Sequence, residues 1–364
     1  MTILEAQDRG PFEPISSRRL GTLESLPKWL NLVPIVAQWL WLSVRYGSVT
    51  LPSAANPCIT SGGMVGEGKM EYFASMGAIA RSRTAATTSV VRTAQCELHD
   101  VVEAMRNEGL EFPVVAKPDM GWCGFGVRLL RDEADARRYL ALFPEGERIV
   151  LQHHLAHDGE AGIFYMREPG QATGRVLGML LRHYPSVRSD GRSTIEDLIS
   201  LDPRLARLGQ DGMSEASCDL ARIPADGERV RLSLVSSTRV GGLYLDGSQA
   251  VTPQLVAAID EVARDMLNFH AGRFDVKFRD LESLRSGVGF KIIEVNGAGS
   301  EAVHAWDPAH SIWHAYAIIF DKQRRLFALA ARMRALGHRP IGLVRLARLH
   351  FRQQALIRRY PPSN

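Results

Sequence analysis

Polar residues in the last third of the sequence have the types and the spacing of a divalent-cation site. Arg273 and Asp275 lie two residues apart in GRFDVKF, and Glu294 and Asn296 do so in FKIIEVNG. Side chains two apart on a strand project from one face, and three oxygen donors on neighbouring strands suit Mg²⁺ held with substrate phosphates. The apolar residues before Glu294 indicate buried strands, in which a carboxylate needs a partner. The alternative is an ordinary strand pair whose polar residues face solvent.

A lysine followed by a glycine-rich loop could bind phosphate. In FPVVAKPDMGWCGFGV, a predicted strand delivers Lys117, and Gly121, Gly124 and Gly126 follow before a second predicted strand. Glycine lets backbone N–H groups approach phosphate oxygens, and the lysine supplies positive charge. The pattern is neither a P-loop nor a Rossmann fingerprint, because no Gly-Lys-Ser/Thr occurs and a strand follows the glycines. A hairpin over phosphates fits, and so does a plain glycine-rich turn beside an incidental lysine.

The elements that must carry these residues indicate an α+β protein. Apolar runs predict strands at 112–116, 127–130, 147–151, 161–166, 174–181, 229–235, 273–278 and 290–295. Thr252 as a cap and Pro253 in the first turn predict a helix over the apolar positions that follow. Hairpin-like strand pairs outnumber βαβ units, which favours α+β layers over one doubly wound sheet.

In this order the motifs resemble the ATP-grasp superfamily, and in particular its D-alanine–D-alanine ligase-like branch. Lys117 with its glycine loop precedes RFD and IIEVNG, and RSDGRSTIEDLI at 188–199 is similar to the DGxST segment of ligases such as cyanophycin synthetases. The resemblance covers about residues 65–305 with order and spacing preserved. It implies the ATP-grasp fold, two α+β subdomains that clasp ATP, with a short N-terminal region and a helical basic C-terminal tail.

The resemblance implies a role for each matching residue. Asp275, Glu294 and Asn296 match the family's Mg²⁺ ligands, and Arg273 matches the arginine that stabilises the oxyanion. Matches to the nucleotide-binding positions, from phosphate to adenine and ribose, are Lys69, Lys117, Gly121, Gly124, Gly126, Gln152 and Glu160. The turn after Asn296 resembles the one that contacts the acceptor substrate, and its candidates are Ser300, Glu301 and His304.

The implied function is ATP-dependent carboxylate–amine ligation. A carboxylate would be activated as an acylphosphate, an amine would then form an amide or peptide bond, and ADP and phosphate would be released. The implied cofactors are ATP and one or two Mg²⁺ ions, for which Mn²⁺ can substitute, and the partners are small-molecule carboxylates and amines. The alternative is a regulatory or membrane-associated ATP-grasp module without ligase turnover. Because the N-terminal region and the arginines Arg188 and Arg192 depart from the family pattern, ligation of D-alanine is not implied.

Composition and charge divide the chain unevenly. The 364 residues are 45% hydrophobic and 23% charged, as in globular proteins, which excludes a disordered chain. The net charge of +4 combines +10 in residues 321–364 with −6 in the rest. Four parts are predicted: an N-terminal region 1–68 with an apolar helix, an ATP-grasp subdomain 69–220 with the glycine loop, a second subdomain 221–320 with the Mg²⁺ ligands, and a basic helical tail 321–364.

Two segments raise the question of a membrane. The tryptophan-rich segment 29–44 contains Asn31, Pro34 and Gln38, and it is shorter than the roughly 20 apolar residues of a spanning helix. It is predicted to be a buried or dimer-interface helix, with a helix lying in the headgroup region as the alternative. The basic tail is predicted to pack on the acidic body, with an anionic membrane as the second reading. Because the tail follows the last ligase motif, it is not expected to serve the chemistry.

Cysteine usage and the N-terminus favour a cytoplasmic protein. Cys58, Cys96, Cys123 and Cys218 are far apart and form no C-x-x-C pair, so neither a zinc site nor a disulfide framework is indicated. The polar start MTILEAQDRG is unlike a signal peptide. Peripheral contact with the inner face of the membrane and a homodimer remain open, whereas no motif indicates a nucleic-acid partner.

Overall fold

The structure, a computed structural model, describes residues 20–208 and 218–363. The α+β class predicted from the sequence is confirmed, and the paired strands of its sheets run antiparallel. The helices are α1 (Thr22–Ser25), α2 (Lys28–Tyr46), α3 (Lys69–Ser75), α4 (Ala78–Ser82), α5 (Leu98–Asn107), α6 (Glu133–Leu142), α7 (Ile195–Leu201), α8 (Pro253–Arg264), α9 (Leu281–Arg285), α10 (Ile312–Ala335) and α11 (Leu343–Ile357).

A four-stranded sheet carries the lysine and the glycine loop. Its strands are β1 (Thr87–Val91), β2 (Val114–Pro118), β3 (Arg128–Leu130) and β4 (Arg148–His153), in the order β1-β4-β2-β3. Helices α5 and α6 cover one face of this sheet, and their apolar residues share a core with β2 and β4. The glycine loop is the connection between β2 and β3, so the sheet fixes both of its ends.

A five-stranded sheet carries the acidic residues. Its strands are β5 (Gly159–Met166), β6 (Arg175–His183), β9 (Leu243–Asp246), β10 (Ala271–Phe278) and β11 (Phe290–Asn296), in the order β11-β10-β5-β6-β9. Between β6 and β9 in the chain, β7 (Ser186–Arg188) and β8 (Arg229–Arg231) form a separate two-stranded sheet. Strand β10 lies between β5 and β11, so the residues that it carries sit inside the sheet.

Helix α8 begins where the sequence predicts. The Thr252 hydroxyl accepts a hydrogen bond from the Leu255 backbone N at 3.2 Å, and Pro253 occupies the first turn. Such a cap stabilises a helix by about 1 kcal/mol. The buried side chains of Leu255, Ile259 and Val262 then pack into the core beneath the five-stranded sheet. This helix therefore supports the face of the sheet that does not carry the acidic residues.

The N-terminal helix α2 packs on α10 along one side. Leu42 and Phe327 are buried together, and the Trp39 ring meets the Phe327 ring edge-on at 4.9 Å. The other side of α2 is exposed, so the helix is buried on one side, and the predicted dimer interface stays a prediction. In the part of the chain that the structure describes, no helix is long and apolar enough to cross a membrane.

The basic C-terminal segment is continuous with the body. Helix α10 starts at Ile312, before the predicted boundary at residue 321, and Phe327, Leu329 and Ala330 on it are buried. After α11 the chain passes the glycine loop, as described below. The segment therefore packs on the body, and the four predicted domain boundaries stay predictions.

Candidate active site

Strands β10 and β11 place the four predicted chemical residues on one face. In their antiparallel register, Arg273 lies opposite Asn296, and Asp275 lies opposite Glu294. Opposed residues share a face, as do residues two apart on one strand. The two strands therefore present a two-by-two patch of side chains on one face, formed by Arg273, Asp275, Glu294 and Asn296.

Asp275 is the buried centre of this patch, with its side chain 1% exposed. Its carboxylate accepts hydrogen bonds from Arg273 Nε at 2.6 Å and Nη2 at 2.9 Å, from Arg182 Nη2 at 3.2 Å, and from Asn296 Nδ2 at 3.1 Å. Burial alone would raise the pKa of Asp275, but the two guanidinium groups outweigh it and hold the pKa below its usual value. Asp275 is therefore an ionised acceptor at neutral pH.

Arg182 joins this patch to Glu160. It lies opposite Glu160 across strands β5 and β6, and Arg182 Nη1 is 2.9 Å from Glu160 Oε1. Glu160 also accepts hydrogen bonds from the hydroxyls of Tyr184 and Ser236. Burial raises the pKa of Glu160, but Arg182 and Lys277 outweigh it, so the net shift is downward. Sequence reasoning missed Arg182, although a single arginine inside the apolar strand VLGMLLRH is a visible signal.

Lys117 reaches across from the other sheet. Its Nζ, buried at the end of β2, donates to Gln152 Oε1 at 2.9 Å and to the Ile293 carbonyl oxygen at 2.8 Å. Burial lowers the pKa of Lys117 to about 8, while Glu294 opposes the shift. The structure thus brings Lys117 and Gln152, predicted as nucleotide contacts, beside the strand that carries Glu294.

Lys69 enters the same space from the start of α3. Its Nζ is 3.3 Å from Glu294 Oε1 and donates to the Pro118 carbonyl oxygen at 3.1 Å. A Cβ added to Gly121 would lie 2.8 Å from the same Nζ. Gly121 therefore leaves room for the Lys69 amine, and the two predicted nucleotide residues are neighbours.

The glycine loop requires glycine at its other two positions for backbone reasons. Gly124 and Gly126 have φ values of 76° and 74°, which L side chains rarely adopt. An added Cβ at Gly124 would come within 2.4 Å of Val235 Cγ1, and one at Gly126 within 2.8 Å of Pro118 Cγ. The Arg239 guanidinium lies 4.1 Å from the centre of the Phe125 ring. The loop is thus packed tightly on its flanks.

The predicted acceptor residues lie beyond β11 in different surroundings. His304 is buried with its ring 5.2 Å from the Phe164 ring, and Glu301 is exposed. Lys322 Nζ donates to the Ser300 carbonyl oxygen at 2.5 Å, and burial lowers its pKa to about 8. The turn is therefore anchored from α10, and the substrate roles of Ser300, Glu301 and His304 stay predictions.

The DGRST segment has a local structural role. Asp190 Oδ1 accepts hydrogen bonds from the backbone N of Arg192 at 2.9 Å and of Ser193 at 2.8 Å. Thr194 then caps α7, where its hydroxyl accepts from the Asp197 N at 3.1 Å. The residue types of this motif thus build a turn and start a helix.

A group of three candidate metal ligands occurs at the end of β9. Atoms of Asp246, His310 and His314 lie within 4.8 Å of one another. His310 Nε2 is 3.0 Å from Asp246 Oδ2, and Asp246 Oδ1 accepts from the Ser248 N at 2.9 Å. The bond to His310 ties β9 to the residues before α10, and the bond from Ser248 shapes the turn after β9, so Asp246 has a structural role.

The chemistry of the donors on β10 and β11 fits a hard cation. Asp275, Glu294 and Asn296 offer oxygen atoms from one face, and oxygen is the donor that Mg²⁺ prefers. The cationic neighbours Arg182, Arg273 and Lys69 contact the same carboxylates. A bound cation would therefore balance part of the negative charge of these carboxylates, which the cationic side chains balance in the structure.

Comparisons with known proteins give a likeness of fold. Neither protein-family models nor curated proteins match the chain. Among solved structures, a bifunctional glutathione synthetase from Pasteurella multocida aligns at a TM-score of 0.36 and 18% identity, over 68% of this chain and 35% of that one. A D-alanine–D-alanine ligase from Bacillus anthracis aligns at a TM-score of 0.43 and 13% identity, over 77% of this chain and 71% of that one.

These likenesses are too remote to transfer an activity. The chain spans about a third of the length of the glutathione synthetase that it matches, 35%. The likeness to these structures of a glutathione synthetase and a D-alanine–D-alanine ligase concerns the fold alone.

Proposed function

We propose that the protein is an ATP-dependent carboxylate–amine ligase that works through an acylphosphate. The observation that carries this proposal is the contact of Lys117 Nζ with the Ile293 carbonyl oxygen at 2.8 Å. It brings the predicted phosphate lysine of one sheet to the acidic strand of the other. A nucleotide held between the sheets would meet both sets of residues.

Different residues would bind the metal ion and the phosphates of the nucleotide. Asp275, Glu294 and Asn296 would hold Mg²⁺, which supplies charge neutralisation at the phosphate oxygens when bound. Lys69 and Lys117 would bind phosphate oxygens as cations, and the N–H groups of the glycine loop would add hydrogen bonds. Both lysines would then exchange their present protein acceptors for phosphate.

The outer part of the nucleotide would lie between the two sheets as well. Gln152 Nε2 donates to the Thr87 hydroxyl at 2.9 Å, which fixes its amide beside Lys117. Glu160 is held by Arg182 and Ser236 and would accept hydrogen bonds from ribose hydroxyls. The adenine and ribose assignments rest on the motif resemblance and on this placement.

Arg273 would act in the second half of the reaction. The substrate carboxylate would attack the terminal phosphate of ATP in line and displace ADP. The amine would then attack the acyl carbon, lose a proton and expel phosphate. The Arg273 guanidinium would stabilise the oxyanion of that tetrahedral intermediate. In the structure it is aligned by Asp275 and lies 5.7 Å from the centre of the Phe164 ring, so its position is fixed from two sides.

The test is ADP release with Mg²⁺ across pooled carboxylates and amines. The proposal expects one pair of pools to stimulate ADP release, and Arg273→Ala to abolish the stimulation. The matched control is Arg175→Ala, which removes an exposed arginine from β6. ATP binding without stimulation by any pair would favour the regulatory module over the ligase.

A further inference from the structure

Side chains of the C-terminal segment donate hydrogen bonds to carbonyl oxygens of the glycine loop. Gln353 Nε2 donates to the Gly121 oxygen at 3.1 Å, the Tyr360 hydroxyl to the Met120 oxygen at 2.7 Å, and the Ser363 hydroxyl to the Gly124 oxygen at 2.7 Å. Three side chains from the last turns of the protein thus meet three carbonyls of one loop. The predicted packing of the tail on the body thus includes contacts to one of the predicted ligase motifs, although the tail is not expected from the sequence to serve the chemistry.

Packing reinforces these hydrogen bonds. The Tyr360 ring stacks on the Phe143 ring, with 5.4 Å between the ring centres, and so extends the core of the four-stranded sheet. Gln353 and Ser363 are both buried. Arg239 donates to the Cys123 carbonyl oxygen at 3.2 Å and to the Ser363 hydroxyl at 3.3 Å, which links loop and tail once more.

In the described part of the chain, these hydrogen bonds use carbonyl groups of the loop and leave several of its backbone N–H groups without a partner. Within residues 20–208 and 218–363, the N–H groups of Gly121, Cys123 and Gly124 make no hydrogen bond, while the carbonyls of Gly121, Cys123 and Gly124 all accept one. Free N–H groups in a turn of this kind are suited to bind an anion. The tail therefore occupies the acceptors of the loop and leaves its donors for a ligand.

We propose that residues 353–363 position the glycine loop for the phosphates of the nucleotide. Gln353, Tyr360 and Ser363 are positioning residues, since they act through the loop and not on the substrate. The nucleotide part of this inference rests on the proposed function, whereas the ordering of the loop by the tail does not.

Single-atom changes test the inference without removing the tail. Tyr360→Phe and Ser363→Ala each delete one hydroxyl and keep the packing, and Arg358→Ala is the control, because Arg358 is exposed in the same segment. Hydrogen exchange is followed at the amides of Phe125 and Val127, which bond within the loop. The two hydroxyl variants are expected to exchange there about five- to tenfold faster, and the control is expected to match the wild type.

Nucleotide kinetics supply the second readout. Tyr360→Phe and Ser363→Ala are expected to raise KM for ATP about fivefold with a smaller change in kcat, and Ser363→Thr is expected to restore KM. Unchanged exchange and unchanged KM in both variants would overturn the inference. If the wild type binds no ATP, the proposed function fails, and the exchange experiment still decides whether the tail orders the loop.

A second observation, independent of the tail, concerns the outer face of α2. From residue 29 to residue 44 its exposed side chains are all apolar, and the large ones are Trp29, Leu30, Leu32, Val33, Val36, Leu40, Trp41 and Val44. The sequence of α2 contains no acidic residue. Soluble proteins rarely leave such a continuous apolar stripe uncovered.

The chemistry of this face favours lipid as its occupant. Tryptophan, which prefers the headgroup region, is exposed at both ends of the stripe, 68% at Trp29 and 53% at Trp41. The Arg45 guanidinium lies 5.5 Å from the centre of the Trp41 ring and places a cation at the end of the stripe. Trp313 on α10 is 81% exposed as well, and the hydroxyl of Tyr316, one turn later, donates to the Asn31 carbonyl oxygen of α2 at 3.4 Å.

A second copy of the chain fits the face less well. The 19 residues of α2 give a face about 28 Å long and about 10 Å wide, so its footprint is roughly 300 Å². A stable dimer buries about 800 Å² on each partner. We infer that α2 lies in the surface of an anionic bilayer, with its apolar stripe below the headgroups.

Vesicle flotation of the full chain tests this inference. The protein is expected to float with phosphatidylcholine vesicles that contain phosphatidylserine, and Leu40→Asp is expected to abolish flotation. The control Leu201→Asp changes a leucine on α7 that is at least as exposed as Leu40, and it is expected to float like the wild type. Failure of the wild type to float would overturn the inference, as would a dimer, seen by light scattering, that Leu40→Asp dissociates.

Discussion

The Lys117 amine donates to the Ile293 carbonyl oxygen at 2.8 Å and so connects the four-stranded sheet to the five-stranded sheet. The residue after Ile293 is Glu294, whose carboxylate lies 3.3 Å from the amine of Lys69. Two lysines and the acidic strand thus meet where the sheets approach each other. This meeting point is the basis of the proposed nucleotide site.

The first prediction concerns pH. Burial lowers the pKa of Lys117 to about 8, and the protonated amine is the form that binds phosphate. Since kcat/KM reports on the free enzyme, kcat/KM for ATP is expected to be constant below pH 7 and to fall as the pH rises through about 8. Lys117→Arg keeps its charge and should remove this fall. A wild-type profile that stays flat to pH 9.5, about the range of an unperturbed lysine, contradicts the role of Lys117.

The second prediction concerns the stability of the patch. Arg182→Leu leaves the buried carboxylates of Glu160 and Asp275 without their shared cation, which is expected to lower the free energy of unfolding at pH 7 by about 3–5 kcal/mol. Arg175→Leu, which removes an exposed arginine of the same strand, is expected to cost less than about 1 kcal/mol. Urea unfolding of both variants measures the difference.

The same experiment has a pH dependence of known sign. The pKa values of Glu160 and Asp275 are lowered in the folded protein, so their contribution is present above pH 4 and lost as the pH falls through their folded pKa values. The difference in stability between Arg182→Leu and the wild type should therefore narrow as the pH falls below about 4, where the carboxyls of the unfolded chain become protonated, and on toward the lower folded pKa values. A deficit that is equal at pH 7 and pH 3.5 would show that lost packing, and not lost charge balance, is its cause.

The third prediction concerns the space beside Lys69. Gly121→Ala puts a Cβ 2.8 Å from the present position of Lys69 Nζ, so the amine must move. We expect weaker ATP binding, by about tenfold, because a charged hydrogen bond is worth about 1.5–3 kcal/mol. Gly342→Ala is the matched control, since its added Cβ meets nothing within 4 Å. Calorimetry of ATP binding compares them, and equal affinities would show that the Lys69 amine does not need the space beside Gly121 to bind ATP.

The fourth prediction separates turnover from folding. Arg273→Ala and Glu294→Gln are expected to lower the rate of ADP release about 10²–10³-fold, the usual effect of one lost transition-state contact. Both should keep a wild-type circular-dichroism spectrum, because Asp275 retains its bonds to Arg182 and Asn296. Full ADP release by either variant contradicts its assigned role.

The strand motifs could be placed from the sequence because their spacing is local. Arg273 and Asp275 are two apart on one strand, and so are Glu294 and Asn296, which alone puts each pair on one face. The register that sets Asp275 opposite Glu294 is a property of the folded strand pair β10 and β11 and was not predicted. Eight strands were predicted to within a few residues, whereas β1, β7 and β9 were not predicted.

Contacts between distant segments could not be read from the sequence. The bond of Arg182 to Glu160 depends on the register of β5 and β6. The bond of Tyr360 to Met120 depends on how a helix 240 residues away packs on the sheet, and nothing local encodes it. Which face of α2 is exposed is likewise not encoded locally, because it depends on the packing of α10 against the other face. The function of such residues becomes visible when tertiary packing brings them together.

Calorimetric titration of the protein with ATP and Mg²⁺ tests the central claim most directly. We predict that one ATP binds per chain, and that Lys117→Met weakens binding at least about tenfold. Lys291→Met, which changes an exposed lysine on β11, is expected to bind ATP like the wild type. No binding by the wild type, or equal binding by Lys117→Met, would contradict a nucleotide site between the two sheets.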